Sequence, residues 1–245
     1  MEKIFDGVWR GGTRYVNWYL LETGPGEAVV VDTGLPGYRR TLVRDVARTG
    51  HVMSDVKAVY LTHGHVDHTG TADVFAAAGA AVYLHQADRE MAEGTASQRP
   101  ERSILPYLRW PATLGFVVHA ARNGAIGRPT MPPSRHPPVG GRVDGPAMPR
   151  VLPVSGHTAG SCVYEFPDHG VAFVGDVMCT VSPVTGRPAP AQLQSRASNA
   201  SSERALASVD ILLELEARTL LPGHGVPWTD GAEAAVASVR RRGCR

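Results

Sequence analysis

Ligand-type side chains are concentrated in one short motif, His63-Gly64-His65-Val66-Asp67-His68. The motif follows the apolar run 56–61, which predicts a buried strand. Since side chains alternate along an extended backbone, His63 and His65 lie on one face, and a turn into a helix would carry Asp67 and His68 to a second position nearby. Imidazole and carboxylate ligands suit Zn²⁺ and similar cations. One ion with an open position cannot use all four groups, so the motif predicts two metal ions.

Three further ligand-type residues follow predicted strands later in the chain. His157 comes after the run 150–154, Asp176 after 171–174, and His224 after 219–221. Each lies beside a glycine, which lets the backbone turn sharply. Open α/β folds build their sites at the carboxyl ends of strands. We therefore expect these residues to join the same metal site.

The order of these motifs resembles that of the metallo-β-lactamase superfamily. The family pattern is His-x-His-x-Asp-His, then Gly-His-Thr-x-Gly-Ser, Gly-Asp and Gly-His-Gly, and the turn 32–34 matches its early Asp-Thr-Gly. The match covers nearly the whole chain except 94–150. The resemblance implies an α/β (α+β) fold, a four-layer αβ/βα sandwich with the metals at one edge between two sheets.

The resemblance also implies a role for each ligand. One ion would be bound by His63, His65 and His157, the other by Asp67, His68 and His224, with Asp176 bridging both. It implies two zinc ions per chain, with iron or manganese as alternatives. A bridging hydroxide would attack the substrate, since zinc lowers the pKa of bound water to about 7. Asp67 would orient this hydroxide or pass a proton to the leaving group, and Asp32 would support the ligand loop.

The implied reaction is hydrolysis of an activated ester, thioester or lactone, as in the hydroxyacylglutathione hydrolase and lactonase-like branch. Family β-lactamases carry Cys or Ser where this chain has Asp176, so antibiotic hydrolysis is not expected. We also recognise no C-terminal helical extension of the kind that binds glutathione. Two alternatives stay open. One is a mono- or di-iron oxidoreductase, although di-iron members usually have Glu in place of His65. The other is a metal-dependent phosphodiesterase or nuclease, although no basic exosite is evident.

Composition argues against several other classes of protein. The 245 residues are 43% hydrophobic and 20% charged, with a net charge of +2, which is too weak a positive balance to predict a nucleic-acid partner. Cys162, Cys179 and Cys244 are too scattered for a disulfide framework. No apolar run approaches the ~20 residues of a membrane span, and residues 1–10 do not resemble a secretory signal. We therefore expect a cytoplasmic protein. The resemblance adds a small-molecule acyl substrate as the expected binding partner, and a second copy of the chain, in a homodimer, is the other partner considered.

The remaining pattern predicts one domain, 1–245, with an insertion at about 94–150. Before the insertion we expect a hairpin over 15–21 and 28–31, helices over 38–49 and 72–78, and a strand over 81–84. After it we expect a helix over 203–217 capped by Ser202, and a final helix opened by a capping box of Asp230 and Glu233. The insertion is rich in proline, with room for helices between 104 and 123.

The insertion lies between the first ligand motif and His157, so both of its ends return to the metal edge. Such loops commonly set substrate choice. Trp110 and Phe116 would hold an acyl group, and Arg109 would clamp an anionic end. The alternative is that the insertion packs onto the sandwich or onto a second subunit. The histidines outside the ligand pattern, and Cys179, are interpreted as surface, supporting or core groups.

Overall fold

A six-stranded sheet forms the N-terminal half of the computed structural model, which describes residues 1–127, 130–182 and 185–243. Cys244 lies outside these ranges. The strands, which lie side by side in chain order, are β1 (Glu2–Phe5), β2 (Val8–Gly12), β3 (Asn17–Gly24), β4 (Glu27–Val31), β5 (Val56–Tyr60) and β6 (Ala81–Tyr83). The first four are antiparallel, whereas β4, β5 and β6 are parallel.

A second sheet has four strands, and a separate hairpin has two. The strands of both are β7 (Arg150–Pro153), β8 (Cys162–Phe166), β9 (Val171–Gly175), β10 (Cys179–Val181), β11 (Pro188–Gln192) and β12 (Thr219–Pro222). The sheet has the order β12-β9-β8-β7, and β10 pairs with β11. Strands β9 and β12 are parallel, and β8 is antiparallel to both β7 and β9. Consequently β7, β9 and β12 all point the same way.

Helices cover the outer faces of the sheets. The α-helices are α1 (Arg39–Arg48), α2 (Val66–Thr69), α3 (Ala72–Ala77), α4 (Arg89–Ala92), α5 (Pro111–Arg122), α6 (Ser202–Ser208) and α7 (Gly231–Arg242). Short 3₁₀ helices lie at Pro36–Tyr38, Met53–Asp55, Gln86–Asp88, Leu105–Arg109, Pro167–His169 and Val209–Glu214. Within the described ranges, none of these helices is long and apolar enough to cross a membrane.

Three apolar layers hold the elements together. The inner layer lies between the sheets and includes Tyr19 and Leu21 of β3 with Phe173 of β9. Because side chains alternate along a strand, Trp18 and Leu20 point outward and pack in a second cluster with residues of α1 and α3. A third cluster joins the outer face of the second sheet to α6 and α7. This confirms the four-layer αβ/βα sandwich that the resemblance implied.

Most predicted elements occur, with differences at the termini of the later helices. The expected helix over 203–217 is α6 followed by a 3₁₀ turn, and its cap is Ser201, which accepts a hydrogen bond from the Arg204 amide, rather than Ser202. The predicted capping box of α7 does not form, since Asp230 makes no side-chain cap. Strands β1 and β2 were not predicted. They are short, and pairing outward from β3 stabilises them.

The insertion contains the helices expected between 104 and 123, namely a 3₁₀ turn and α5. Its later part returns to the first sheet. The Arg135 amide donates to the Val82 carbonyl, and the Leu84 amide donates to the Arg135 carbonyl. These bonds continue the sheet beyond β6, so this part of the insertion is anchored to the sandwich.

Replacing a side chain of the inner layer should strongly destabilise the fold. We expect Leu21→Ala, at a fully buried position, to lower the free energy of unfolding by about 2–5 kcal/mol, because it leaves a cavity between the sheets. Leu213→Ala is the matched control, since Leu213 is 52% exposed; its effect should stay within about 0.5 kcal/mol. Urea denaturation of both variants measures the difference. Equal losses would contradict the assignment of the inner core.

Candidate metal centre

The first ligand motif begins three residues after the end of β5. Leu61 and Thr62 are buried, and His63 and His65 then project on one side of the chain before α2 begins at Val66. The predicted turn into a helix is therefore present, and it brings Asp67 and His68 within reach of the same edge.

The other three ligand-type residues follow strands of the second sheet. His157 lies four residues beyond β7, Asp176 directly follows β9, and His224 lies two residues beyond β12. Because β7, β9 and β12 point the same way, their carboxyl ends meet at one edge. This edge faces the end of β5, so strand polarity in two sheets brings all seven predicted ligands together.

His63, His65 and His157 form one cluster. Nε2 of His63 lies 3.1 Å from Nδ1 of His65, and Nε2 of His157 lies 2.9 Å from the same atom. Ligand nitrogens of a tetrahedral zinc site, with bonds of about 2.0–2.1 Å, are separated by roughly 3.3 Å. The three nitrogens thus have nearly the spacing that a small divalent cation requires.

Asp67, His68 and His224 form a second cluster. Oδ2 of Asp67 lies 3.7 Å from Nε2 of His68 and 3.6 Å from Nε2 of His224. Asp176 lies between the two clusters. Its Oδ2 is 3.1 Å from Nε2 of His224 and 3.4 Å from Nε2 of His157. A carboxylate at this position can contact an ion in each cluster.

Two buried atoms of the centre, Nε2 of His68 and Oδ1 of Asp176, lack a hydrogen-bond partner in the part of the chain that the structure describes. They lie 3.7 Å apart, and both residues are almost fully buried. An unsatisfied buried polar atom costs about 1–3 kcal/mol. A bound cation would satisfy both atoms, and nitrogen and oxygen donors suit a borderline divalent ion. The residues present therefore fit a pair of metal ions.

The electrostatics of the centre favour bound cations. Burial lowers the pKa of His63 well below its ordinary value and that of His65 to about 3, so both rings stay neutral and keep a lone pair for a metal. Burial also opposes a charge on His68, but the surrounding carboxylates, Asp67 foremost, raise its pKa to about 10. The field at this end of the site thus favours positive charge.

Hydrogen bonds behind the centre set the orientation of four imidazoles. Nδ1 of His68 donates to Asp32, at 2.8 Å, and Nδ1 of His157 donates to Oδ1 of Asn199, at 2.9 Å. Nδ1 of His224 donates to the Tyr15 carbonyl. Oγ1 of Thr62 lies 3.0 Å from Nδ1 of His63. In each ring Nε2 is left facing the centre, whereas His65 presents Nδ1. Such partners orient metal-binding histidines.

Asp32 was expected to support the ligand loop, and its contacts are more direct than that. Besides binding His68, its carboxylate accepts from the amide and hydroxyl of Thr62, at 2.8 to 3.1 Å. Its own backbone has φ of 57°, a left-handed conformation that is uncommon for residues other than glycine. The chain adopts this conformation just after β4, where it brings the carboxylate against the ligand loop.

Sequence reasoning missed Asp88, a buried carboxylate that joins two ligand loops. It accepts from the Gly64 amide at 2.8 Å, the Gly160 amide at 2.7 Å and Oγ1 of Thr158 at 2.5 Å. It therefore ties the His63–His65 loop to the loop that carries His157. Asp88 belongs to an ordinary polar segment after β6, so no local pattern distinguishes it.

Gln194 and Asn199 were also missed. Nε2 of Gln194 donates to Oδ2 of Asp176 at 2.9 Å, and Asn199 is the partner of His157. Both come from the polar segment after β11. From the sequence, this segment was interpreted only as a polar stretch leading to the next helix. Its contacts with Asp176 and His157 form only when the segment packs against the centre in the folded protein.

A cavity of about 590 Å³ opens beside the centre. His65, Asp67, His157, Asp176 and His224 form its inner end. The insertion provides one wall, which includes Ile104, Tyr107 and Phe116. Of the three side chains that were predicted to touch substrate, Phe116 lines the cavity, whereas Arg109 and Trp110 are not among its lining residues.

The other histidines do not join the metal-competent groups found among the described residues. His51 contacts Glu22 and Asp55, His136 lies near the Leu84 carbonyl and His169 near the Glu22 carbonyl. His85 caps the following turn, and His119 packs on Tyr15. Cys179 is buried in β10 and is not among the residues that line the cavity.

The model of the metallo-β-lactamase superfamily matches residues 11–224. The chain therefore belongs to this superfamily, which makes it a metal-dependent hydrolase in class. The His/Asp cluster and the family together indicate a dinuclear metal site.

Two bacterial proteins are similar to this chain over most of its length. An uncharacterized protein of Mycobacterium tuberculosis, Rv2581c, is 30% identical over 233 residues, which is 89% of each chain. The probable metallo-hydrolase YflN of Bacillus subtilis is 26% identical, over 87% of this chain and 81% of its own.

Solved structures agree with the fold. The metallo-β-lactamase family protein TTHA1429 of Thermus thermophilus has a TM-score of 0.63 at 28% identity, and the match covers 96% of this chain and 80% of that one. TTHA1623, whose structure is of a di-iron-bound form, also has a TM-score of 0.63 at 28% identity, with 93% and 96% coverage.

The bridging assignment of Asp176 can be tested by counting metal ions. We expect Asp176→Asn to reduce the metal content from about two ions per chain to about one, because the amide removes the charge shared by the clusters. Asp168→Asn, at an exposed position in a turn, is the control and should retain both ions. The measurement is elemental analysis after zinc saturation and gel filtration, with circular dichroism to confirm folding. Two tightly bound ions in Asp176→Asn would contradict the assignment.

Asp88 should affect metal affinity although it is not placed as a ligand. Asp88→Asn removes the negative charge of a carboxylate that accepts hydrogen bonds from two backbone amides, so we expect the two ligand loops to separate. Changes to residues that support ligands typically weaken metal binding about 10- to 100-fold. Asp210→Asn, which breaks an exposed ion pair with Arg240, serves as the control. Competition with a chromophoric chelator measures both, and an affinity within twofold of the wild type in Asp88→Asn would refute the role.

Proposed function

We propose that the protein is a dinuclear zinc hydrolase that cleaves an activated ester, thioester or lactone. In this proposal His63, His65 and His157 hold one ion, and Asp67, His68 and His224 the other. The observation that carries the proposal is the position of Asp176, whose Oδ2 lies within 3.4 Å of a histidine from each cluster. The open cavity beside both clusters supports a reaction on a small molecule.

When bound, a pair of zinc ions supplies a nucleophile at neutral pH by lowering the pKa of water to about 7, and it polarises the acyl carbonyl. The chain's own groups perform the remaining tasks. Asp67 reaches the cavity and lies against His68 and His224. We assign it the transfer of a proton to the leaving group. Gln194 donates to Asp176 and holds the bridging carboxylate in place.

The insertion, residues 94–150, is proposed to belong to the same single domain and to act as the substrate wall. Phe116 of α5 lies edge-on to His224, with ring centroids 6.1 Å apart. A side chain at this distance can contact a substrate held at the metal centre. Apolar residues at this wall favour the acyl part of a substrate and exclude water from it.

Iron is the second candidate for the metal, and the di-iron-bound form of the related TTHA1623 favours it. An iron-loaded centre would make an oxidoreductase the alternative function. Protein stripped with a chelator and reloaded separately with zinc, iron and manganese distinguishes the two. Oxygen consumption by the iron form, without ester, thioester or lactone hydrolysis by any form, would replace the proposal with the oxidoreductase.

Substitution of Asp67 tests the hydrolytic role directly. We expect Asp67→Asn to lower kcat on p-nitrophenyl esters about 10²- to 10⁴-fold, the usual contribution of acid–base catalysis. Asp73→Asn on α3, whose native carboxylate pairs with Arg39 at the surface, should keep the wild-type kcat. Steady-state kinetics under saturating zinc, with metal content measured in parallel, provides the comparison.

The substrate panel for this test contains esters, thioesters, lactones and bis-p-nitrophenyl phosphate. Turnover of the phosphodiester alone would identify a phosphodiesterase instead. Unchanged kcat in Asp67→Asn with both metals bound would remove Asp67 from the mechanism.

A further inference from the structure

The cavity contains one arginine. Besides the carboxylates and histidines of the metal centre, the described lining residues are apolar or carry hydroxyl and amide groups, and Arg14 is the one Lys or Arg among them. Asp67 and Asp176, the acidic lining residues, belong to the metal centre. Apart from the metal centre, a substrate that enters the cavity therefore meets one positively charged side chain among the described residues, that of the exposed Arg14.

Arg14 is held in place by Tyr15. Its guanidinium lies over the Tyr15 ring, 4.6 Å from the centroid, and Nη2 donates to the Tyr15 hydroxyl at 2.5 Å. Stacking of this kind orients the planar guanidinium group.

Tyr15 is in turn fixed to both the centre and the insertion. Its carbonyl accepts from the metal-site residue His224. Its ring packs against Phe116 and His119 of α5, with centroids 5.9 Å and 4.7 Å away. A Cβ at Gly115 would lie 2.8 Å from the Tyr15 hydroxyl, so the absence of a side chain at Gly115 gives this hydroxyl room to approach α5. Arg14 is thus positioned relative to the metal centre through a chain of direct contacts.

The guanidinium of Arg14 has no acidic partner among the described residues. In the ranges 1–127, 130–182 and 185–243, no carboxylate lies within 4.0 Å of its guanidinium, whereas Arg10 and Arg39 each pair with an acid. A guanidinium has five N–H donors in a planar fork. One is used on Tyr15, so the fork retains donors for a ligand. A carboxylate or phosphate matches this fork by bidentate hydrogen bonding.

We propose that Arg14 determines specificity by binding an anionic group of the substrate, a carboxylate or a phosphate, remote from the bond that is cleaved. The substrate class is then an anionic acyl ester, thioester or lactone, with its apolar part against Phe116 and Ile104. This inference rests on the proposed hydrolytic function. The sequence suggested Arg109 as the residue that binds an anionic group. The present inference assigns that role to Arg14 instead, which lies before the first ligand motif.

The test compares matched pairs of activated esters. One series is the mono-p-nitrophenyl esters of dicarboxylic acids from succinate to suberate, against neutral esters of equal chain length. A second series places the carboxylate on the phenol of acetyl esters. We expect a charged ester in one series to have about 10- to 100-fold higher kcat/KM than its neutral partner, since a bidentate hydrogen bond between two charged groups is stronger than one to a neutral group. A phosphonate analogue of that ester identifies which anion is preferred.

Three variants assign the preference to Arg14. Arg14→Gln should abolish the ratio between charged and neutral esters, mainly through KM, and Arg14→Lys should retain only part of it because the planar fork is lost. Arg109→Gln is the matched control. Arg109 also lies over an aromatic ring, that of Trp110, with no acidic partner among the described residues, but it does not line the cavity. This variant should keep the wild-type ratio.

The outcomes separate this inference from the proposed function. Wild-type protein that hydrolyses neutral and charged esters equally, or Arg14→Gln that keeps the full preference, would overturn the role of Arg14 and leave the hydrolase intact. A preference lost equally in Arg14→Gln and Arg109→Gln would also overturn it, because the effect would then be long-range charge. Absence of hydrolysis of every ester, thioester and lactone by the zinc-loaded wild type would refute the proposed function itself.

Discussion

Burial of ionisable side chains at one sheet edge is the constraint on which the rest of this structure depends. His63, His68 and Asp176 are all less than 7% exposed. Charges in such surroundings are costly unless they are paired or bind a metal. Nε2 of His68 and Oδ1 of Asp176 have no hydrogen-bond partner among the described residues. Divalent cations would neutralise the carboxylates and complete these contacts, and metal binding thereby adds to the stability of the fold.

This constraint explains why so much of the buried polar structure lies directly behind the ligands. Asp32 accepts from the ligand His68 and from Thr62, whereas Asp88 accepts from the amides of two ligand loops, and each carboxylate connects segments distant in sequence. Asp32 joins the end of β4 to the first ligand motif. Asp88 joins that motif to the loop of His157, which comes from the other sheet. The two sheets are therefore braced against each other at the point where the ligands need the most accurate spacing. A small misplacement there would change the coordination geometry, because metal–ligand bonds tolerate only a few tenths of an ångström.

The segments that line the cavity differ from those that carry the metal ligands. The sandwich supplies the ligands at strand ends, and the insertion with the segment before β3 supplies the cavity wall. A fold of this kind can keep one metal centre and change its substrate by changing the loops above it. Phe116 approaches His224 from the insertion, and Tyr15 contacts the same histidine from the N-terminal side. The cavity wall therefore contacts His224 directly, so substitutions in the wall would also affect the orientation of this metal-binding side chain.

The sequence by itself determined the features that depend on local spacing. The motif containing His63 and Asp67 after a strand, and the single ligands near glycines, were sufficient to predict the site residues that the fold brings together. The order of these motifs also carried the family resemblance, and that resemblance implied the layered architecture. Only the tertiary structure decided the features that join distant segments. Asp88 and Arg14 carry no local signal, since each acts through partners dozens of residues away or through the cavity it faces. Periodicity and ligand spacing are properties of a few consecutive residues, whereas a buried carboxylate is placed by the atoms packed around it.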